Sequence, residues 1–140
     1  MKQGTPSRVV VERFDPGEDI LECLNKLVRR SKVTAGSFTA LGAVEKANVG
    51  FFIGDGKYIT ISIEGPLEIV CCVGNISLKG DAPFIHAHIS LADNRGRTYG
   101  GHLMPGCTVG ATCEVTLHAY DAINLVRKLD SKTGLYLLDT

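Results

Sequence analysis

The chain has no net charge: 15 basic residues balance 15 acidic ones over 140 residues. A dedicated nucleic-acid binder shows a basic excess or stripe, so that class is disfavoured. No run of about 18 or more apolar residues occurs, so no membrane-spanning helix is expected. The N-terminal stretch MKQGTPSRVVVERF lacks the apolar segment and cleavage site of a signal peptide. A cytoplasmic location is the expectation. The five cysteines contain no C-x-x-C pair, and an odd number with irregular spacing makes a poor disulfide framework. They read as small buried apolar residues. Cys107 and Cys113 follow a histidine-rich stretch closely enough that one of them could approach a metal there. Internal repeats, low-complexity segments and linkers are also missing. What remains is 44% hydrophobic and 21% charged, a folded profile, long enough for one domain with a core. That domain is taken as residues 1–140.

The organising stretch is Phe84 to Met104, which holds three of the four histidines. In its first arm Ile85, Ala87, Ile89 and Leu91 alternate with Phe84, His86, His88 and Ser90. A period of two is the strand signal, with aliphatic residues on one face and histidines on the other. The second arm, Thr98 to Met104, puts Tyr99 and Leu103 on one face and His102 and Met104 on the other. Asn94-Arg95-Gly96 suits a three-residue hairpin loop with Gly96 in the left-handed position. Asp93 then pairs with Arg97, His88 falls opposite His102, and His86 falls opposite Met104. Opposed and diagonal neighbours are within side-chain reach, so His86, His88 and His102 form a triangle on one face. A slip of one residue would move His102 to the other face. Three converging imidazoles suit a divalent transition metal, zinc first among them, and leave a fourth position for water or a small-molecule ligand.

Around this hairpin the chain reads as follows. Arg8 to Phe14 is a β-branched strand. Asp15-Pro16-Gly17-Glu18 resembles a helix start with Asp15 as N-cap. Ile20, Leu21, Leu24, Leu27 and Val28 form the apolar stripe of that helix, and Arg29, Arg30 and Lys32 suit its C-terminal end. Gly36 to Ile53 is one or two strands with a bulge near Gly42. Tyr58 to Glu64 is a strand ended by Gly65-Pro66, and Leu67 to Leu78 is another. Cys107 to Tyr120 is a strand, Asp121 to Lys128 a short helix, and Thr133 to Leu138 a closing strand. The fold class is α+β: a mostly antiparallel sheet of about six to eight strands with one long helix packed on it. Antiparallel sheets leave edges that partners often cover.

Several stretches together resemble the plant-and-prokaryote conserved (PPC) domain, also called domain of unknown function 296. They are Gly36-Ser37-Phe38-Thr39-Ala40-Leu41-Gly42-Ala43-Val44, Pro83-Phe84-Ile85-His86-Ala87-His88, Gly100-Gly101-His102-Leu103, and Gly106 and Val109 with Thr112 to Val115. The His-x-His plus Gly-Gly-His-Leu combination is the most specific part. The resemblance implies one long helix on an antiparallel sheet, assembly as a homotrimer, and a metal held at His86, His88 and His102. Plant members join this domain to AT-hook motifs and regulate DNA. In this chain Arg95-Gly96-Arg97 is followed by Thr98 where an AT-hook has proline, and the tripeptide is needed for the turn. The hexapeptide through which plant members interact corresponds to Gly36–Leu41 without its Arg and Glu. The stand-alone prokaryotic type is the better likeness.

Three functions follow as expectations. The first is a metal-binding homotrimer with a regulatory or ligand-sensing role, its histidine face near a subunit boundary. The second is a metal-dependent hydrolase or lyase, since a metal lowers the pKa of bound water towards about 7. That chemistry needs a general base, and Glu64, Asp93 and Glu114 are candidates by residue type. The third is a DNA-binding protein, which the balanced charge disfavours.

Overall fold

A computed structural model describes all 140 residues. Eight strands and one helix follow in the order β1 (Thr5–Phe14), α1 (Ile20–Arg30), β2 (Gly36–Gly54), β3 (Lys57–Lys79), β4 (Ala82–Ala92), β5 (Thr98–Leu103), β6 (Thr108–Asp121), β7 (Arg127–Leu129) and β8 (Tyr136–Leu138). The first six strands form one antiparallel sheet in the order β1-β6-β2-β3-β4-β5. β5 also pairs with β2, at Val49–Leu103 and Gly50–His102, which closes β2, β3, β4 and β5 into a barrel-like ring. β7 and β8 make a separate small hairpin. No helix is long and apolar enough to cross a membrane.

The length of β2 makes this closure possible. Its N-terminal part, Gly36 to Lys46, pairs with β6, and its C-terminal part pairs with β5 on the same edge. Register shifts between Ala40 and Gly42 and between Val44 and Lys46 bend the strand between those two duties. Gly42 sits at φ +140, and a Cβ there would lie 2.0 Å from the Thr112 carbonyl oxygen. The bulge expected near Gly42 is therefore present within a single strand.

β3 corrects the sequence reading. Gly65-Pro66 does not end a strand, because β3 runs unbroken from Lys57 to Lys79. The register jumps there from Lys46–Glu64 to Val44–Leu67, so Glu45 alone faces Gly65 and Pro66. A bulge absorbs the residue that has no N–H to donate.

The core is one cluster of 26 buried residues. It joins Ile20, Leu24, Leu27 and Val28 of α1 to the inward sides of the strands, among them Phe38, Val49, Ile89, Leu91 and Leu117. Each such aliphatic side chain contributes about 1.5–3 kcal/mol relative to exposure. Cys23, Cys72, Cys107 and Cys113 are buried here as small apolar residues, whereas Cys71 is exposed.

The helix has the expected stripe but is short, 11 residues rather than a long element. Its start also differs. Gly17 takes φ +87, which makes Asp15–Glu18 a turn and leaves Asp19 as the N-cap. Asp19 Oδ1 accepts from the Glu22 N–H at 2.9 Å, and Oδ2 accepts from the Gly106 N–H at 2.6 Å. The same carboxylate thus caps α1 and ties it to the turn before β6. The helix expected over Asp121 to Lys128 is not formed. Ala122 lies at φ +56, the Leu78 N–H donates to the Leu125 carbonyl, and Arg127 begins β7. Pairing with the end of β3 outweighs the local helical pattern. Of the closing segment, only Tyr136 to Leu138 is strand.

Asp19→Ala is expected to cost about 1–2 kcal/mol, and Asp15→Ala, which removes only an exposed ion pair with Arg13, under about 1 kcal/mol. Urea unfolding of the two variants checks this ranking.

Candidate metal centre

The hairpin turn forms as its residues require. Gly96 is at φ +74 and its N–H donates to the Asp93 carbonyl at 2.9 Å. The Asp93 N–H donates to the Arg97 carbonyl at 3.0 Å. The Asp93 carboxylate accepts from the Arg95 and Arg97 backbone N–H groups at 2.9 and 3.0 Å and from the Arg97 side chain at 2.7 Å. These contacts hold its acidity stronger than usual against the opposing effect of desolvation. From this closed turn the pairing runs Ala92–Thr98, Leu91–Tyr99, Ser90–Gly100, Ile89–Gly101, His88–His102. The register is the one expected.

It stops there. Beyond His102 the second arm leaves β4 and joins β2, so His86 has no partner at Met104 and lies opposite Asn75 of β3 instead. Gly101 permits this departure: a Cβ there would meet the Gly50 carbonyl oxygen at 2.6 Å. Ala87, Ile89 and Leu91 point into the ring, and the histidines stand on its outer face.

Their rings converge. Centroids are 4.2 Å apart for His88–His102, 5.0 Å for His86–His102 and 5.3 Å for His86–His88. One nitrogen from each lies within 4.8 Å of the others. A tetrahedral ion with metal–nitrogen distances of about 2.0–2.1 Å needs them about 3.3 Å apart, a change within reach of side-chain torsions. No imidazole nitrogen of the three is engaged in a hydrogen bond with protein. His86 is pulled down to about 4, first by burial and then by the charge of Arg127, with smaller effects from His102 and His88. His102 is lowered by burial and by His88. Both are neutral at pH 7 with lone pairs available, which is the form a metal takes. The donor set fits zinc or another borderline divalent ion.

A cavity of about 610 Å³ opens beside the three rings. One wall is aromatic: Tyr58 packs edge-on to His102 at 4.7 Å, and Phe52 packs on Tyr58 at 5.4 Å. Another wall comes from Lys79, Phe84 and Arg127, and a third from the turn at Gly134 and from Leu135, Tyr136 and Leu137. The Gly56 N–H donates to the Thr133 carbonyl at 3.1 Å, so the β2–β3 tip touches the β7–β8 hairpin. Of these wall residues the sequence pattern places only Phe84 on the histidine face. For the others, the placement of Phe52 and Tyr58 on either side of the Gly54–Lys57 turn carries a signal.

The three carboxylates weighed as bases do not join the site. Glu64 is exposed opposite Lys46, Glu114 is exposed opposite Arg13, and Asp93 is held by its turn. None lines the cavity. Cys107 and Cys113 are in the core, not among the histidines.

Residues 1–121 match the Plants and Prokaryotes Conserved (PCC) domain, and its histidine hairpin lies inside that span. The chain belongs to the PCC domain family. A metal-containing protein from Archaeoglobus fulgidus superposes on this PCC chain with a TM-score of 0.90 and 28% identity, covering 100% of this chain and 99% of that one. A plant- and prokaryote-conserved protein from Pyrococcus horikoshii superposes with 0.90 and 27%, covering 99% and 95%. Among curated proteins, the bifunctional protein GlmU of a Synechococcus strain is 32% identical over 123 residues, 87% of this chain and 18% of that protein. The PCC chain thus spans about a fifth of the length of the curated relatives it matches.

The depressed His86 sets a pH dependence. Its ordinary value is 6.5 and its folded value about 4. Between these the unfolded chain binds a proton that the folded chain does not. The contribution is therefore complete above pH 6.5 and declines as pH falls towards 4. Thermal melts of metal-free protein should show this loss, and His86→Asn should flatten it. A curve for His86→Asn parallel to wild type contradicts the assignment.

Proposed function

We propose that this PCC-domain chain is a metal-binding protein that holds a divalent transition metal, zinc, at His86, His88 and His102. Its role is regulatory or ligand-sensing, and it works as a homotrimer. The observation that carries the metal reading is the convergence of three imidazoles with unengaged nitrogens within 4.8 Å. The metal content of the Archaeoglobus fulgidus protein supports it by likeness. A bound ion would supply a Lewis-acidic position for a ligand oxygen. The cavity beside the rings gives that ligand room.

A binding role is favoured over hydrolysis because no carboxylate lines the cavity, and a metal-dependent hydrolase needs a base within reach of its water. A DNA-binding role has little support on this surface. The net charge is zero, and of the Arg95-Gly96-Arg97 tripeptide Arg97 is already paired with Asp93 at 2.7 Å.

Support for assembly comes from the β2–β3 arm. Ala47–Ile63, Val49–Ile61 and Phe51–Ile59 are opposed pairs along one face. Ala47 and Val49 are 1% exposed, but Phe51 is 63% and Ile59 50% exposed. The core-facing side of the arm thus runs on past the core, and further copies of the chain would cover it.

Metal analysis of purified protein should give about one ion per chain, lost in His88→Ala. Light scattering on the same sample should give three times the 15.0 kDa of one chain. A wild-type protein that takes up no metal removes the metal reading, and a monomer removes the trimer.

A further inference from the structure

The cavity beside the histidines carries positive charge with nothing to balance it. Lys79 and Arg127 line it, and no aspartate or glutamate does. Arg127 is 6% exposed. Its guanidinium donates to Ser77 Oγ at 2.8 Å, to the Tyr136 carbonyl at 2.9 Å and to Asn75 Oδ1 at 2.7 Å. All three acceptors are neutral. These bonds place the group but leave its charge uncompensated, and a buried unpaired charge is costly. They also engage only three of the five N–H groups that a guanidinium offers.

Lys79 is exposed, but it too has no carboxylate partner. Its Nζ lies 3.7 Å from the centroid of the Tyr136 ring and 5.8 Å from that of Phe84. The carboxylates that form ion pairs elsewhere are taken by Arg13, Lys26, Arg30, Arg97 and Lys128. Both cavity cations therefore rest on aromatic faces, Arg127 at 5.0 Å over Phe84. Three neutral imidazoles would leave the charge of a divalent ion undiminished as well. Everything charged about the site is positive, so its missing component is an anion.

The remaining walls are apolar. Phe52, Tyr58, Leu135 and Leu137 offer a surface for hydrocarbon, and about 610 Å³ is the size of a pocket for a small ligand. We propose that the cavity binds a small organic carboxylic acid, its carboxylate between the histidine centre and the Lys79–Arg127 pair, its carbon chain against Phe52, Tyr58 and Leu137. This deepens, and rests on, the reading of the histidines as a metal centre. Arg127, Leu135, Tyr136 and Leu137 lie beyond the residues 1–121 that match the family domain. Of the two cations that would select an acid, Lys79 lies inside the shared domain and Arg127 outside it.

The test is calorimetric titration of zinc-loaded protein with 4-methylpentanoate and with its neutral isostere 4-methylpentanamide. Zinc content is measured alongside for wild type and Lys79→Gln. The acid should bind and the amide should bind at least about tenfold more weakly, the loss of one charge-assisted contact. Lys79→Gln, an exposed position that folding does not need, should weaken the acid about tenfold with zinc content unchanged and leave the amide as it was. Equal affinities for acid and amide overturn the inference, as does full affinity in Lys79→Gln, or zinc-loaded protein that binds neither. Protein that retains no zinc yet distinguishes acid from amide through Lys79 supports the anion site and removes only the metal reading.

Discussion

The pairing of His88 with His102 across one hairpin is the constraint on which the site depends. Asp93 closes the turn with both its backbone and its carboxylate, and Gly96 supplies the left-handed residue the turn requires. Side chains on a strand alternate faces, so this closure decides more than loop shape. It puts Ile89 and Leu91 into the core and His88 and His102 outside as a single act. Burial of the aliphatic set fixes the register, and the register brings the imidazoles together.

The third histidine and the cavity depend on longer-range structure. β2 is long enough to pair first with β6 and then with β5, and its bulges turn it from one to the other. That draws β5 away from β4 just after His102 and seats His102 against Tyr58. The small C-terminal hairpin then covers the outer face. It is anchored by Arg127 through Ser77 and Asn75 of β3, and it touches the β2–β3 tip at Gly56. His86 and His102 are thereby half-buried, while His88 stays exposed. Burial and the Arg127 charge keep His86 neutral and available.

How much of this was legible in the sequence follows from the range of the interactions involved. The histidine hairpin is local: its alternation and its turn are written in 21 consecutive residues, Phe84 to Met104. The apolar stripe of α1 was equally plain, but its start was misplaced at Asp15, because the positive φ of Gly17 appears only once the turn is built. Gly65-Pro66 looks like a break in sequence, because the bulge that accommodates it belongs to the pairing with Glu45. Local periodicity puts Arg127 on a helix. Its actual neighbours, Asn75 and Ser77, are some 50 positions earlier, and no local pattern encodes such a contact. The cationic and aromatic walls of the cavity were invisible for the same reason. Resemblance to the PPC family rests on motifs between Gly36 and Val115 and does not reach the C-terminal hairpin that completes the cavity.

The central claim is that three imidazoles from two adjacent strands bind one ion. Zinc K-edge X-ray absorption on the loaded protein tests it most directly. Three imidazole nitrogens at about 2.0–2.1 Å with one further light-atom ligand are the expected shell. A sulfur scatterer near about 2.3 Å, or a shell of oxygens without imidazole, would contradict it.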